Sequence, residues 1–199
     1  MKNLILKIVL FAVIIVLGYM VYDSINKPVR FKNEKAQREQ SVIQRLKDIR
    51  NAQSVYKQAN NSYTPSFDSL IAFLKSGEIP VVKLIPDPED TTFTKTISDT
   101  LGYVKVMDSL FGKRTNFNVN DLRYIPFSDG VEFEMDAGSI DRGGVSVSVF
   151  EAKAPFVAYL KGMEEQRIYN IIAGEEDIDK YPGLRVGSMT EPSTDGNWE

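Results

Sequence analysis

The chain has 199 residues and a net charge of −3 at neutral pH; it is 43% hydrophobic and 11% aromatic, and it holds neither cysteine nor histidine. That composition suits a packed core rather than disorder. It excludes disulfides, thiolate metal sites and cysteine nucleophiles, and without imidazole neither a Ser-His-Asp nor a Cys-His apparatus can be assembled.

Residues 4 to 22 carry only one charge, Lys7. As a helix this run is about 28 Å long, close to the ~30 Å hydrocarbon core of a bilayer. The expectation is an uncleaved anchor over residues 1–23, with Leu4, Ile8, Phe11, Ile15, Gly18 and Tyr22 along the span. Lys7 can snorkel from the start of the span, Tyr19 and Tyr22 suit an interfacial belt, and Gly18 offers one small contact point. The alternative is a cleaved signal peptide, which has a shorter apolar core and a small-x-small exit. Here the run closes on Tyr19-Met20-Val21-Tyr22, where a peptidase requires small residues.

Charge is uneven along the chain. Up to Arg50 there are ten basic and four acidic residues, a net of +6; the remainder has fourteen and twenty-three, a net of −9. A basic neck thus joins the apolar segment to an acidic head. Such a neck either attracts anionic headgroups or an acidic partner, or is a solvated helix face in which Glu34 and Glu39 are interleaved. Counting basic residues on the two flanks favours a cytoplasmic head, but long domains translocate regardless of charge, which leaves orientation open.

Pro28 disfavours helix at Lys27 and predicts a break over 23–28. A helix follows to Asn60, so that residues 24–60 are a stalk and packing helix. Val42, Leu46, Ile49, Gln53 and Tyr56 recur at intervals of four and three, widened by Ile43 and Ala52 and continued by Ala59. Ser66 can cap a helix with Phe67, Leu70, Ile71 and Leu74 on its buried side, ending at Ser76-Gly77. Residues 79–85 read as extended. Three further segments read as strands: Tyr103 to Asp108; Val131 to Asp136 with Val131, Phe133 and Met135 inward; and Val145 to Val149 with the valines inward. Asp141-Arg142-Gly143-Gly144 is a hairpin connection. Short helices are expected over 154–161 and 164–173, and a last strand over 184–188. Residues 61–189 form the α+β head, and 190–199 a loose tail apart from Trp198.

Ile49-Arg50-Asn51-Ala52-Gln53-Ser54-Val55-Tyr56, running on to Tyr63-Thr64-Pro65 and the helix over 67–74, resembles the end of the first helix in type IV pilins and type II secretion pseudopilins. About 30 residues carry the likeness, with Ile49, Ala52, Gln53, Tyr56 and Tyr63 as the matching packing and interaction positions. The resemblance implies an α+β, pilin-like fold: an N-terminal transmembrane helix continuing into a long amphipathic helix packed on a small antiparallel sheet. It also implies a bacterial inner (cytoplasmic) membrane location with the head on the periplasmic, extracytoplasmic side. Met1 to Lys7 contains neither the Gly before an aromatic residue nor the following Glu that prepilin peptidase needs, so the implied role is that of an unprocessed component.

Three acidic groupings bear on chemistry. Asp87, Glu89 and Asp90 lie in a Pro-bounded loop, and Glu175, Asp177 and Asp179, with Glu176, precede Tyr181-Pro182-Gly183. Calcium takes six to eight oxygens, and major pseudopilins use a late acidic loop for it, which makes Glu175, Asp177 and Asp179 calcium candidates. Neither loop has EF-hand spacing, and a solvated acidic turn explains both. Glu132, Glu134 and Asp136 occupy alternate positions, as the wet face of a strand does; paired carboxylates for glycoside hydrolysis are the competing reading. No phosphate-loop motif occurs, and the acidic head argues against nucleic acid. The expected function is therefore non-enzymatic and needs no cofactor: a single-pass structural component of a pilus or type II secretion-like envelope assembly. Its partners would be membrane lipids and either envelope proteins or further copies of itself. A tethered ligand- or calcium-binding sensor is the alternative.

Overall fold

A computed structural model describes residues 2–86, 96–115 and 117–199; the Asp87, Glu89 and Asp90 loop lies outside the described residues. The fold is α+β. One helix, α1 (Lys2–Asn60), is followed by α2 (Phe67–Ser76), β1 (Glu78–Pro86), β2 (Thr96–Lys105), α3 (Val106–Phe111) and a 3-10 turn at Val119–Arg123. Then come β3 (Glu134–Arg142), β4 (Val145–Pro155), α4 (Phe156–Tyr159), α5 (Glu165–Glu176) and β5 (Gly183–Gly187).

α1 is a single helix of 59 residues with Pro28 inside it, so the expected break over 23–28 does not form. Proline forfeits one backbone bond, to the Ser24 carbonyl, and its ring crowds that carbonyl. The turn is braced locally by Lys27 Nζ on Asp23 Oδ2 at 2.6 Å and by Asn26 Nδ2, which donates to the Tyr22 carbonyl at 2.8 Å. The helix is long and apolar enough at its start to cross a membrane, and none of that apolar window is buried in the molecule.

Further along, α1 changes character. Val42, Leu46, Ile49 and Ala52 are fully buried, Gln53 with them, while Tyr56 and Ile43 are half-buried against the same core. The stripe stops there, since Ala59 is exposed. Against this face lies a three-stranded antiparallel sheet in the order β3-β4-β5. Its central strand contributes Val149, Phe150, Ala152 and Ala154 to the interior. β3 pairs with β4 from Glu134–Lys153 to Arg142–Val145, and the two-residue connection Gly143-Gly144 has φ of +65° and +84°, the left-handed pair that matches strand twist. Val131 and Val145 are exposed although the alternation predicts them inward. Val131 precedes β3 and Val145 sits at the hairpin tip, both beyond the cover of α1.

α2 begins at Ser66, whose hydroxyl accepts from the Ser69 amide, and it buries Phe67, Leu70, Ile71 and Leu74 as its spacing predicts. Tyr103 to Asp108 is only partly strand. β2 ends at Lys105 and the chain turns into α3, because the Val106 amide bonds the Gly77 carbonyl at 3.0 Å while Val106 and Phe111 enter the core. The last ten residues are tied down rather than loose. Asn197 Nδ2 donates to the Gly183 carbonyl, the Gly187 amide bonds Asp195, Val186 bridges Gly196, and Trp198 packs on the core.

Gly187 ends β5 with φ +77°, and a Cβ there would collide with the Phe150 carbonyl. Gly187→Ala combines left-handed strain with that clash, so it should destabilise the head by about 1–3 kcal/mol or more. Urea unfolding measures this, with Gly18→Ala, which meets open space, as the neutral comparison.

Candidate functional site at the helix–head junction

The positions singled out by sequence converge where α1 ends and the chain reverses. Gln53 is fully buried. Its Nε2 donates to the Thr64 carbonyl at 2.6 Å, and its Oε1 accepts from the Thr64 amide at 3.1 Å. One carboxamide thus replaces a strand partner for a buried turn, and Met135 Sδ lies 3.2 Å from the same nitrogen. The Thr64 hydroxyl accepts from the Ser66 amide at 3.2 Å, which leads into the α2 cap. Asn61 takes the left-handed conformation just after α1, at φ +58°. Tyr63 packs on Phe150 with ring centroids 4.7 Å apart and lies under Lys57 Nζ at 4.6 Å, while Tyr56 meets Phe73 edge-on at 5.1 Å. Ile49 and Ala52 complete the buried side. Ile49, Ala52, Gln53, Tyr56 and Tyr63 all lie at this junction.

Charged latches hold the rest of the helix to the head. Arg38 Nη1 donates to the carbonyls of Tyr159 and Lys161 at 3.0 and 2.9 Å, and Nη2 pairs with Glu34 at 2.6 Å. Asp48 is buried and held in a fork by Arg114 at 2.6 and 2.8 Å, with Gln44 Nε2 donating at 3.1 Å. Arg114 also lies over Phe111 and Phe117, which stack at 3.9 Å. Arg50 binds Glu199 at 2.9 Å. Sequence reading missed Arg38, Asp48 and Arg114. The one available signal was Asp48, a charge immediately beside the apolar stripe.

Two tyrosine hydroxyls are withdrawn from water. The Tyr159 ring is fully buried and its hydroxyl lies 3.4 Å from Glu39 Oε1. Burial first, and the Glu39 carboxylate second, raise its pKa far above the usual phenol range. Tyr181 is raised by burial and then by Glu134 and Glu151, and its hydroxyl has no partner among the described residues.

β1 and β2 form a separate antiparallel ribbon apart from the three-stranded sheet. Val81, Val82, Leu101, Tyr103 and Val104 are exposed on it. A two-stranded ribbon is marginal alone in water. Pro80 and Pro86 stand an even number of residues apart on β1, and the register shift opposite Val81/Val82 adds its extra residue to β2. Both imino nitrogens therefore face one edge, and strand prolines belong on the outer one. That edge lacks two donors, whereas β2 contains no proline.

The acidic candidates do not come together. Glu175 lines a hollow of about 320 Å³ with Lys35, Glu39, Lys180 and Arg185. Asp177 caps the end of α5, and Asp179 follows in the left-handed region. Among the described residues no three carboxylates are grouped to hold a metal ion. Glu132, Glu134 and Asp136 are exposed, as a wet strand face requires. Leu4, Ile8, Phe11, Ile15, Gly18 and Tyr22 all lie on the bare part of α1. Comparison with protein-family models, curated proteins and solved structures yields no match.

Gln53→Leu strands the amide and the carbonyl of Thr64 in a buried site. The expected loss is about 2–6 kcal/mol at roughly 1–3 per orphaned group, whereas Thr64→Ser, which keeps both backbone groups paired, should cost far less. Denaturant midpoints of the two variants decide it. The raised tyrosines set an alkaline limit. Their folded pKa exceeds the unfolded value near 10, so the stabilisation is complete below pH ~10 and falls above it as the unfolded phenols ionise first. Stability should drop there by about 1.4 kcal/mol per pH unit for Tyr159, and Tyr159→Phe should flatten the slope in alkaline unfolding titrations.

Proposed function

We propose that this protein is a non-enzymatic, single-pass membrane protein on a pilin-like plan, serving as a structural component of a pilus or type II secretion-like envelope assembly through protein–protein contact. Its anchor lies in a bacterial inner membrane, with the head on the extracytoplasmic side. The observation that carries this reading is α1 itself: one uninterrupted helix that is bare and apolar at its start and is built into an α+β head over its last two dozen residues. A bare apolar helix of this length satisfies its own backbone and can reside in lipid alone. The Gln53–Thr64 junction coincides with the segment that resembles pilins and pseudopilins. The β1–β2 ribbon supports a contact role, since exposed valines, Leu101 and Tyr103 on a marginal hairpin gain most from a covering partner.

Fractionation and site-specific cross-linking test the proposal. Full-length protein should stay with membranes under alkaline carbonate extraction. A photo-cross-linker at Tyr103 should yield a defined adduct with an envelope component or a second copy, and one at exposed Asp141 should not. A soluble mature chain that begins after Tyr22 would remove the anchor from the proposal, and a monodisperse monomer without adducts would remove the assembly role.

A further inference from the structure

The β1–β2 ribbon has two unlike edges. Among the described residues only β1 pairs with β2, and residues 80–83 and 103–105 are exposed. The outer edge of β5, by contrast, is covered by the chain's own tail, through the Val186–Gly196 bridge and the bond from the Gly187 amide to the Asp195 carbonyl. An uncovered edge is a template for another strand, and proline is a common block. β1 is blocked in this way at Pro80 and Pro86, and β2 is not.

The register fixes which backbone groups β2 offers. Pro80 has no N–H, so Pro80 and Tyr103 are a non-hydrogen-bonded pair, and the Tyr103 amide and carbonyl point away from β1. Alternation turns the Lys105 amide the same way. Pro86 and Thr96 are a pair of the same kind, so alternation from that end gives Ser98 and Thr100 outward groups as well. Val81 pairs with Gly102 and Val82 with Thr100, which makes Leu101 the extra residue of a bulge. The outward positions therefore run 96, 98, 100 and then 103, 105, with one step of three residues in place of two.

That uneven step selects the partner. A foreign strand of regular pleat matches the outward groups on one side of the step and falls out of phase on the other. A second β2, laid antiparallel about an axis between Leu101 and Gly102, meets step with step. Thr100 then faces Tyr103 of the second copy, and Ser98 faces its Lys105. Asp99 and Lys105 stand toward opposite ends of this segment, so antiparallel placement brings ends of opposite charge together, whereas a parallel one sets like beside like. Both outer edges of the resulting four-stranded sheet are β1 edges with their prolines, so the assembly closes at two copies.

We propose that β2 pairs with β2 of a second copy across this axis, joining two molecules through backbone hydrogen bonds. The pairing rests on the contact role given to the ribbon above and names its occupant. It also turns a two-stranded ribbon, marginal by itself in water, into a four-stranded sheet.

The chain has no cysteine, so introduced ones report the register. Full-length protein is co-expressed in two tagged forms, and the membranes are mildly oxidised. Thr100→Cys in one form with Tyr103→Cys in the other should cross-link at least about fivefold more than either position paired with itself. Opposed residues of a hydrogen-bonded pair lie about 5.5 Å apart at Cα, within disulfide reach, whereas like positions are offset by three residues, roughly 10 Å, and lie beyond it. A second measurement separates backbone from side chain. Tyr103→Pro removes only a donor that faces away from β1, so the urea midpoint of the head should hold while self-association in detergent falls at least about tenfold. Tyr103→Ala keeps that donor and should retain most of the association. Equal cross-linking of mixed and like pairs, or self-association untouched by Tyr103→Pro, overturns the proposal. No cross-link between copies, with a photo-cross-linker at Tyr103 still capturing a different envelope component, overturns the pairing and leaves the assembly role standing. If neither forms, both fall.

Discussion

The carboxamide of Gln53 closes the chain reversal on which the head is built. At that point a 59-residue helix must end, turn and present α2 and the sheet to its own apolar stripe. A turn with a buried backbone has no water to bond, and unpaired amides there are costly. Gln53 supplies both a donor and an acceptor from one rigid group. Asparagine is a methylene shorter, and glutamate has no donor when ionised. The same turn feeds Ser66 into its cap and places Tyr63 on Phe150, so helix termination, sheet docking and the start of α2 share one set of bonds.

Around that junction, interior charge is tolerated only where it is fully answered. Asp48 receives a two-pronged guanidinium and an amide, and Glu151, also buried, lies between Lys153 at 3.2 Å and Arg185 at 3.3 Å. Such pairs add little net stability compared with well-packed apolar residues, but a lone survivor is expensive. Their effect is to fix position. Arg114 of the head grips the Asp48 side chain on one turn of α1, while Arg38, on another turn of α1, donates to the Tyr159 and Lys161 carbonyls of the head, so the head can neither slide along the helix nor rotate about it without breaking a charged contact.

Local chemistry was legible in the residues. The Ser66 cap, the four-three stripe from Val42 to Tyr56, the Gly143-Gly144 connection and the bare apolar run all follow from short-range rules. What was illegible depended on distant neighbours. Asp48 and Arg114 are far apart in sequence, and nothing near either one announces the other. Val106 and Met107 continue an apolar run that reads as strand, yet the Gly77 carbonyl and the core behind α2 draw them into a helix. Val131 and Val145 alternate correctly and still face water, because cover is a property of the whole fold. The tail looked loose since its residues are polar, but those polar groups complete the edge of β5. At the junction itself, Gln53 was singled out by its spacing, while its two bonds to Thr64 required coordinates.

The persistence of α1 through Pro28 couples the two ends of the molecule mechanically. No hinge separates the apolar run from the head among the described residues of this helix. In the proposed membrane setting, a tilt of ~20°, ordinary for a spanning helix, would carry Asn60 sideways by about 20 Å, since it lies roughly 57 Å beyond Tyr22. The protein is then a lever with its fulcrum in the bilayer, and small rotations imposed within the lipid emerge as large displacements of the head.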